Sequence, residues 1–387
     1  MRQMLAIVAS LAICLGGVVM APIASATAPG LTFTNYTTAN GLGFSDASGV
    51  SVSDGMVFAA TPDGLSMAPV GGASFINRTT SDGLGSNYVN GVFAANGAVY
   101  AATDGGLSIS TNGGTSFTNA TTTNGLGSNQ VNGVYALDGT IYAATGGGLS
   151  ISTNGGISFV NYTTTNGLAS DYVHGVYVTG DVISGYTIYA ATGRGLTVTT
   201  NLFVSHSTFT TDQNLGSNLV LGVFASGANI YVATAGGLSI SLNSGQSFTN
   251  YTSANGLGDG ENWVNEVYVR DGTIYAGTGG GITSDGGLSI STDGGTTFSN
   301  YTIADGLGSN IVDGVYVTGG GIYAATTGGL SFSGQPSGLA VEMWQQAIGR
   351  VSATAPCPDG YTGSWDTWPN NHTGGFVCNR FIPAYGN

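Results

Sequence analysis

Along most of the chain, apolar and β-branched runs of five to seven residues alternate with Gly-rich polar punctuation. In residues 73–114 the runs are Ser74–Thr80, Val89–Ala94, Ala98–Thr103 and Leu107–Thr111. They are rich in Val, Ile, Tyr, Phe and Thr, and too short and Gly-bounded for helices, so each predicts a β-strand. The block ASFINRTTSDGLGSNYVNGVFAANGAVYAATDGGLSISTNGG is followed at 115–156 by TSFTNATTTNGLGSNQVNGVYALDGTIYAATGGGLSISTNGG, a second copy of the same 42 residues. Further copies start near Leu31, Ile157, His206, Gln246 and Thr296, and the last ends near Gly334. Seven units of four short strands predict an all-β fold, a seven-bladed β-propeller of four-stranded blades. A solenoid, the competing repeat architecture, would need a dedicated cap at each end.

The phase of the strands predicts how the ring closes. The chain enters the repeats on a fourth-type strand, Leu31–Thr37, and leaves them on a third-type strand, Leu330–Ser333. Paired together, these two complete the seventh blade and hide two sheet edges.

Composition then explains itself. Of 387 residues 67 are Gly. Turns such as Asp138-Gly139 and Asp271-Gly272 call for positive φ, which Gly supplies without steric cost. Gly49, Gly91, Gly133, Gly175, Gly222 and Gly314 recur in the first strand of their units, where blades crowd at the axis. Apolar residues make up 42%, enough for a core and against disorder. The formal charge is −14, with no Lys and six Arg, which argues against nucleic acid as a partner and against a polybasic membrane patch.

Residues 1–26 read as a signal peptide, with Arg2 before an apolar stretch Leu5–Val19 and a cleavage site at Ala24-Ser25-Ala26. Export to the medium or cell surface follows, with no membrane span after cleavage and a monomeric propeller over 27–334. A C-terminal extension, 335–387, has a different composition. Leu339–Val351 predicts a short amphipathic helix with Val341, Trp344 and Ile348 on one face. Cys357 and Cys378 are the two thiols left after cleavage, so a disulfide between them is expected.

Two resemblances meet in the repeat. Ser110-Thr111-Asn112-Gly113-Gly114-Thr115-Ser116-Phe117 resembles the Asp-box of bacterial neuraminidase repeats, and Ser291-Thr292-Asp293-Gly294-Gly295-Thr296-Thr297-Phe298 matches its pattern best. The stretch from Gly-Leu-Gly-Ser-Asn through Ile-Tyr-Ala-Ala-Thr resembles two-component-regulator propeller repeats. Together they cover about 31–334. Both imply a propeller, and neither implies an activity, because the Asp-box is a structural turn. The C-terminal Trp-x-x-Trp-Pro-Asn and Gly-Gly-Phe-Val-Cys-Asn-Arg stretches resemble a tail of exported actinobacterial surface proteins, which implies a bacterial envelope location.

Candidate chemistry is sparse. Sialidases use three converging arginines, but Arg78, Arg194 and Arg270 fall in a fourth strand, a second-to-third loop and a first-to-second turn. His174, His206 and His372 show no metal-ligand spacing. The Asn-x-Thr triplets at Asn35, Asn77, Asn119, Asn161, Asn250 and Asn300 match glycosylation acceptors, yet they recur at one repeat position, as a strand feature would.

Comparing the units with one another locates variation. The position just before the first-strand Val (Ala47 in the first unit) reads Asp46, Tyr88, Gln130, Tyr172, Leu219, Trp263 and Ile311. The position just after it reads Ser48, Asn90, Asn132, His174, Leu221, Asn265 and Asp313. A variable ring on a constant scaffold is what a binding surface looks like; drift at exposed loops is the alternative. The sixth unit departs furthest. It carries an insertion at Asp259-Gly260-Glu261-Asn262-Trp263, another within Thr278–Leu288 that includes Asp285, and Glu266 where the other six units have Gly. Trp263 beside Asn265, with Asp259, Glu261, Glu266 and Asp285, suits a sugar or a Ca²⁺ ion. No other cofactor is expected. The reading is a non-catalytic binding propeller for a carbohydrate, an envelope component or a protein partner, with Tyr88, Tyr172, His174 and Asp313 as further contacts. The alternative is a glycosidase-like hydrolase using carboxylates at the channel mouth.

Overall fold

A computed structural model describes residues 30–258, 260–280 and 285–334, together with the strands Tyr361–Trp365 and Phe376–Arg380. Those two strands form an antiparallel hairpin with Cys378 opposite Gly363. The expected leader 1–26, the tail helix 339–351 and Cys357, and with it the Cys357–Cys378 pairing, lie outside the described residues.

Seven four-stranded antiparallel sheets form a β-propeller. Blade 2 shows the plan, running outward from the axis through Val89–Ala95, Ala98–Thr103, Gly106–Ser110 and Thr118–Ala120. The first six blades are consecutive in sequence. The seventh combines Val312–Thr318, Gly321–Thr326 and Gly329–Gly334 with Thr34–Tyr36 from the other end of the repeats. Asn35 pairs with Ser331 in this joint, and its side chain donates to Gly328 O at 2.9 Å while accepting from Ser331 Oγ at 3.0 Å. The innermost strand of blade 1 touches those of both blade 2 and blade 7, so the ring is closed.

The outer strands are shorter than the pattern predicts. Ser74–Thr80 contracts to Ile76–Arg78, and Leu31–Thr37 to Thr34–Tyr36. The reason is the Thr that ends each run. Thr79 leaves the sheet to cap a single 3-10 turn, its side chain accepting from Ser81 N while Asp82 reaches back to the Thr79 amide. A three-residue outer strand also leaves little edge for a foreign chain to pair with.

Local chemistry fixes the turns. Asp138 and Gly139 have φ of 48° and 78°, and Asp271 and Gly272 have 51° and 79°, the pair of positive values a two-residue hairpin turn requires. Between second and third strands, Thr103 Oγ1 donates to Gly106 O at 2.7 Å and accepts from Gly105 N at 3.1 Å. In the Asp-box-like turns, Asn112 Oδ1 accepts from Ser116 N at 3.1 Å and Asp293 Oδ1 from Thr297 N at 2.9 Å.

The recurring Asn-x-Thr asparagines act as clamps. Asn161 donates to Gly147 O at 2.8 Å and accepts from Ser150 Oγ at 2.8 Å, while Ser150 Oγ accepts from Gly127 N at 3.0 Å. Asn35, Asn250 and Asn300 repeat the arrangement in their own blades. A buried Ser in the third strand thus finds polar partners on both sides, as burial demands.

The core is layered between blades. Tyr142, Leu149 and Ile151 of blade 3 pack on Leu168, Val173 and Ile188 leading into and within blade 4, and similar clusters recur around the ring. Leu107, Leu149, Leu196, Leu238, Leu288 and Leu330 are fully buried at one repeat position. Each contributes roughly 2–3 kcal/mol by removing its side chain from water.

Candidate functional site at the channel mouth

The innermost strands converge through their glycines. A Cβ on Gly314 would stand 3.1 Å from the Gly49 Cα, and one on Gly49 3.5 Å from the Gly91 Cα. This close approach leaves a central channel whose cavity, about 680 Å³, is lined by all seven innermost strands. Ser48, Asn90, Asn132, His174, Leu221, Asn265 and Asp313 stand together on that lining. The position just after the first Val is therefore a ring at one mouth.

Part of this ring holds the blades together. Ser48 Oγ donates to Val89 O at 2.9 Å, Asn90 Nδ2 to Val131 O at 2.9 Å, Asn132 Nδ2 to Val173 O at 2.7 Å, and Asn265 Nδ2 to Val312 O at 3.0 Å. Each bond runs to the next blade's first-strand Val. His174, Leu221 and Asp313 are the three departures from the donor pattern, and Glu266 is the departure from the glycine pattern. All four sit on blades 4 to 7, so blades 1 to 3 form a continuously stapled arc, and in the rest of the ring only Asn265 keeps the bond to the next blade.

The carboxylates of blades 6 and 7 are poorly hydrated. Glu266 lies within the waist of the channel, its Oε1 accepting from Val267 N at 3.2 Å and resting against Gly222 of the neighbouring blade. Some of its surface still reaches the channel lumen. Burial pushes its carboxyl up to about 7. Asp313 is also pushed up to about 7, first by burial and then by the nearby charge of Asp46, which is itself raised by burial. Burial holds the His174 imidazole below its usual value, so it stays neutral at pH 7. Among the described residues no arginine lines the cavity.

Below the ring runs an aromatic girdle. Phe93, Tyr135, Tyr177, Phe224, Tyr268 and Tyr316 come from blades 2 to 7, with successive ring centroids 4.8, 5.0, 4.8, 5.4 and 5.3 Å apart. Blade 1 interrupts it with Ser51, whose Oγ accepts from Ala94 N at 3.1 Å. The residues were visible in sequence as a Val-Phe or Val-Tyr pair after five of the six inner glycines and after Glu266, but nothing in one unit shows that they meet those of the next.

The candidates from sequence separate into groups. Asn265, Glu266, His174 and Asp313 line the cavity. Tyr88 and Tyr172 stand outside it, Tyr172 against His174 with ring centroids 4.8 Å apart and its hydroxyl accepting from Gln130 Nε2 at 3.2 Å. Trp263 Nε1 donates to Asn265 Oδ1 at 2.7 Å, orienting the amide that staples blade 6 to blade 7. Glu261 lies in the first sixth-blade insertion. The two insertions meet, since a Cβ on Gly260 would be 3.4 Å from Asp285 Oδ2. Asp259 and residues 281–284 lie outside the described residues. Among the described residues no three His, Cys, Asp or Glu side chains gather as a metal-ligand group.

The three arginines stay apart. Arg78 pairs with Asp82 at 3.1 Å on an outer strand, Arg194 is in a second-to-third turn, and Arg270 bonds Val317 O at 3.1 Å near a first-to-second turn. No converging trio forms from them.

No family model matches the chain, and no curated protein sequence matches it. Solved structures do share the fold. The extracellular domain of a protein described as a hybrid two-component system from B. thetaiotaomicron superposes with a TM-score of 0.63 at 17% identity, over 78% of this chain and 42% of that one. YCF48 bound to D1 peptide superposes with a TM-score of 0.56 at 12% identity, over 80% and 97%. An ancestral GH74 enzyme gives 0.56 at 17%, over 76% and 45%. The chain thus spans less than half the length of the first of these. At such identities the likeness is one of fold. Among the described residues no helix is long and apolar enough to cross a membrane.

Proposed function

We propose that this chain is a non-catalytic binding propeller, exported and held at or outside the bacterial cell surface, whose ligand enters at the channel mouth. The observation that carries the reading is the split ring. One scaffold position, repeated seven times around one cavity, is spent on blade-to-blade bonds in blades 1, 2, 3 and 6 and on His174, Leu221 and Asp313 in blades 4, 5 and 7. The meeting of the two sixth-blade insertions beside that ring supports it. A carbohydrate or another envelope component is the ligand class we favour, because Trp263 and the polar rim offer an apolar platform with flanking hydrogen-bond groups.

The test is a panel of glycans and envelope fragments assayed for binding and for turnover. Binding without product is expected, and Trp263→Ala with Asp285→Ala should weaken it at least tenfold. Two variants that bind like the parent move the site elsewhere. Released sugar would favour a glycosidase instead. Glu266 and Asp313 motivate that second reading, being two carboxyl groups in one cavity, each protonated in part at pH 7.

A further inference from the structure

The mouth is asymmetric in charge as well as in bonding. On the blade 6 to blade 1 side it gathers Glu266, Asp313 and, beside Asp313, Asp46, and among the described residues no arginine lines the cavity to answer them. Among the described residues the nearest cation along this wall is Arg270, at the far end of the same strand, where it bonds Val317 O and pairs with Asp271 at 3.4 Å. It approaches Tyr268 and Tyr316 rather than either cavity carboxylate. Glu266 is enclosed by the converging strands, and its Oε1 takes a hydrogen bond from the adjacent Val267 amide. Part of its surface lines the channel cavity. Asp313 occupies the place where Ser or Asn elsewhere donates to the next blade, and an ionised carboxylate has no proton to donate.

The wall beneath these acids is aromatic. Glu266 and Tyr268 are two residues apart on one strand, so both project from the same face about 6–7 Å apart. The Tyr316 ring stands 5.3 Å from that of Tyr268. Next to Tyr316 the girdle is missing its seventh ring, because blade 1 places Ser51 there, which leaves room on this side.

We propose that this acidic and aromatic side of the channel receives an organic cation, an ammonium or guanidinium group carried on a slender chain. Carboxylates that share a poorly hydrated cavity, with no arginine among its described lining residues, are answered by a positive ligand, and the Tyr268 and Tyr316 rings add attraction through their negative faces. The inference rests on the channel mouth being the binding site, and it names the chemistry of what enters. The cation belongs either to an amino sugar or to a basic peptide side chain, and the two sources are separable by experiment.

Titration calorimetry at pH 8 and low salt would use two cationic probes with neutral counterparts. They are the glucosamine trimer against the N-acetylglucosamine trimer, and Nα-acetyl-lysine amide against Nα-acetyl-norleucine amide. At least one cationic probe should bind ten times more tightly than its counterpart, and which one does identifies the source. Glu266→Gln and Asp313→Asn should each weaken that binding tenfold or more, and Tyr268→Leu threefold or more. Ile157→Ser, on the exposed outer surface, should change nothing. Melting temperatures of every variant separate lost binding from lost folding. Equal affinity for a probe and its neutral counterpart overturns the inference, as does parent-like binding by both acid variants or an absence of binding by both cations. If neutral glycans still bind and Trp263→Ala abolishes that, the mouth remains a binding site and only the cation is wrong. If neither the cations nor the glycan panel bind, the site itself is wrong.

Discussion

The innermost and third strands of each blade lie about one strand apart in the same sheet, yet they obey different constraints. The third strand, Gly-Leu-Ser-Ile-Ser in blades 2, 3, 5 and 6, is buried along its whole length. It is flanked by sheet neighbours on both edges and by another blade across each face, so every side chain has a fixed partner and the letters recur. The innermost strand has a sheet neighbour on one edge and the channel on the other. Its Gly, Val and aromatic positions still recur, because they pack at the axis, but the position just after the first Val diverges. Constancy in this protein therefore marks close packing, and variation marks the mouth of the cavity.

The sharpest way to break this contrast is to open the enclosed strand. Leu149→Ala should cost about 3–4 kcal/mol, since the site is fully buried between blades and has little room to collapse. Urea unfolding would read it, and a loss under 1 kcal/mol would show that the layers are looser than described.

The channel wall should instead reveal itself through pH. Glu266 and Asp313 have folded-state values above their ordinary ones, so the native protein holds protons that the unfolded chain releases. Stability should therefore fall as pH rises from about 4 to about 7, and level off above that. Asp46 beside Asp313, and His174, Tyr135, Tyr177, Tyr268 and Tyr316 on the lining, are the other titratable groups of this cavity. Asp82 and Asp293 act in the opposite sense. Hydrogen bonds hold their values down, so their contribution is lost as pH falls below about 4. Glu266→Gln should flatten the neutral slope and stabilise the protein at pH 8 by about 1–3 kcal/mol, less if channel water screens the charge. Thermal melts from pH 4 to 9 test both signs at once.

Closure offers an intermediate effect. Asn35→Ala removes a clamp that joins residues nearly three hundred positions apart, leaving Ser331 Oγ and Gly328 O without their partner. A loss of about 1–2 kcal/mol is expected. Asn161→Ala, the same clamp within one continuous blade, is the control. Equal losses would mean that the ring is closed by layer packing and that the joint adds nothing special. The smallest effect should come at the rim, where Tyr88 is 48% exposed. Tyr88→Ala should shift stability by less than about 0.5 kcal/mol, and a calorimetric scan resolves whether it does.

Much of the architecture was legible in the amino-acid sequence because it is local and repeated. A Gly after an Asp states its turn, a Ser-x-Asn turn binds its own backbone, and the strand types at Thr34–Tyr36 and Gly329–Gly334 state the closing pair. The outer strands were read too long because the Thr that ends them is as β-prone as the residues before it, and only the capping geometry shows it turning away. The site was legible as variation, but its division was not. Asn90 and Asp313 look alike as polar ring positions until the first is seen donating to Val131 O. Tyr268 and Tyr316 are forty-eight residues apart and become neighbours only when blades 6 and 7 pack. The same holds for Glu266, whose identity was plain but whose raised pKa depends on strands from several blades removing its water. Repetition along a chain determines which elements form and in what order, because hydrogen bonding and turn geometry act over a few residues. Desolvation and ring contact act across the axis, between residues that no local pattern connects, and those the tertiary structure alone decides.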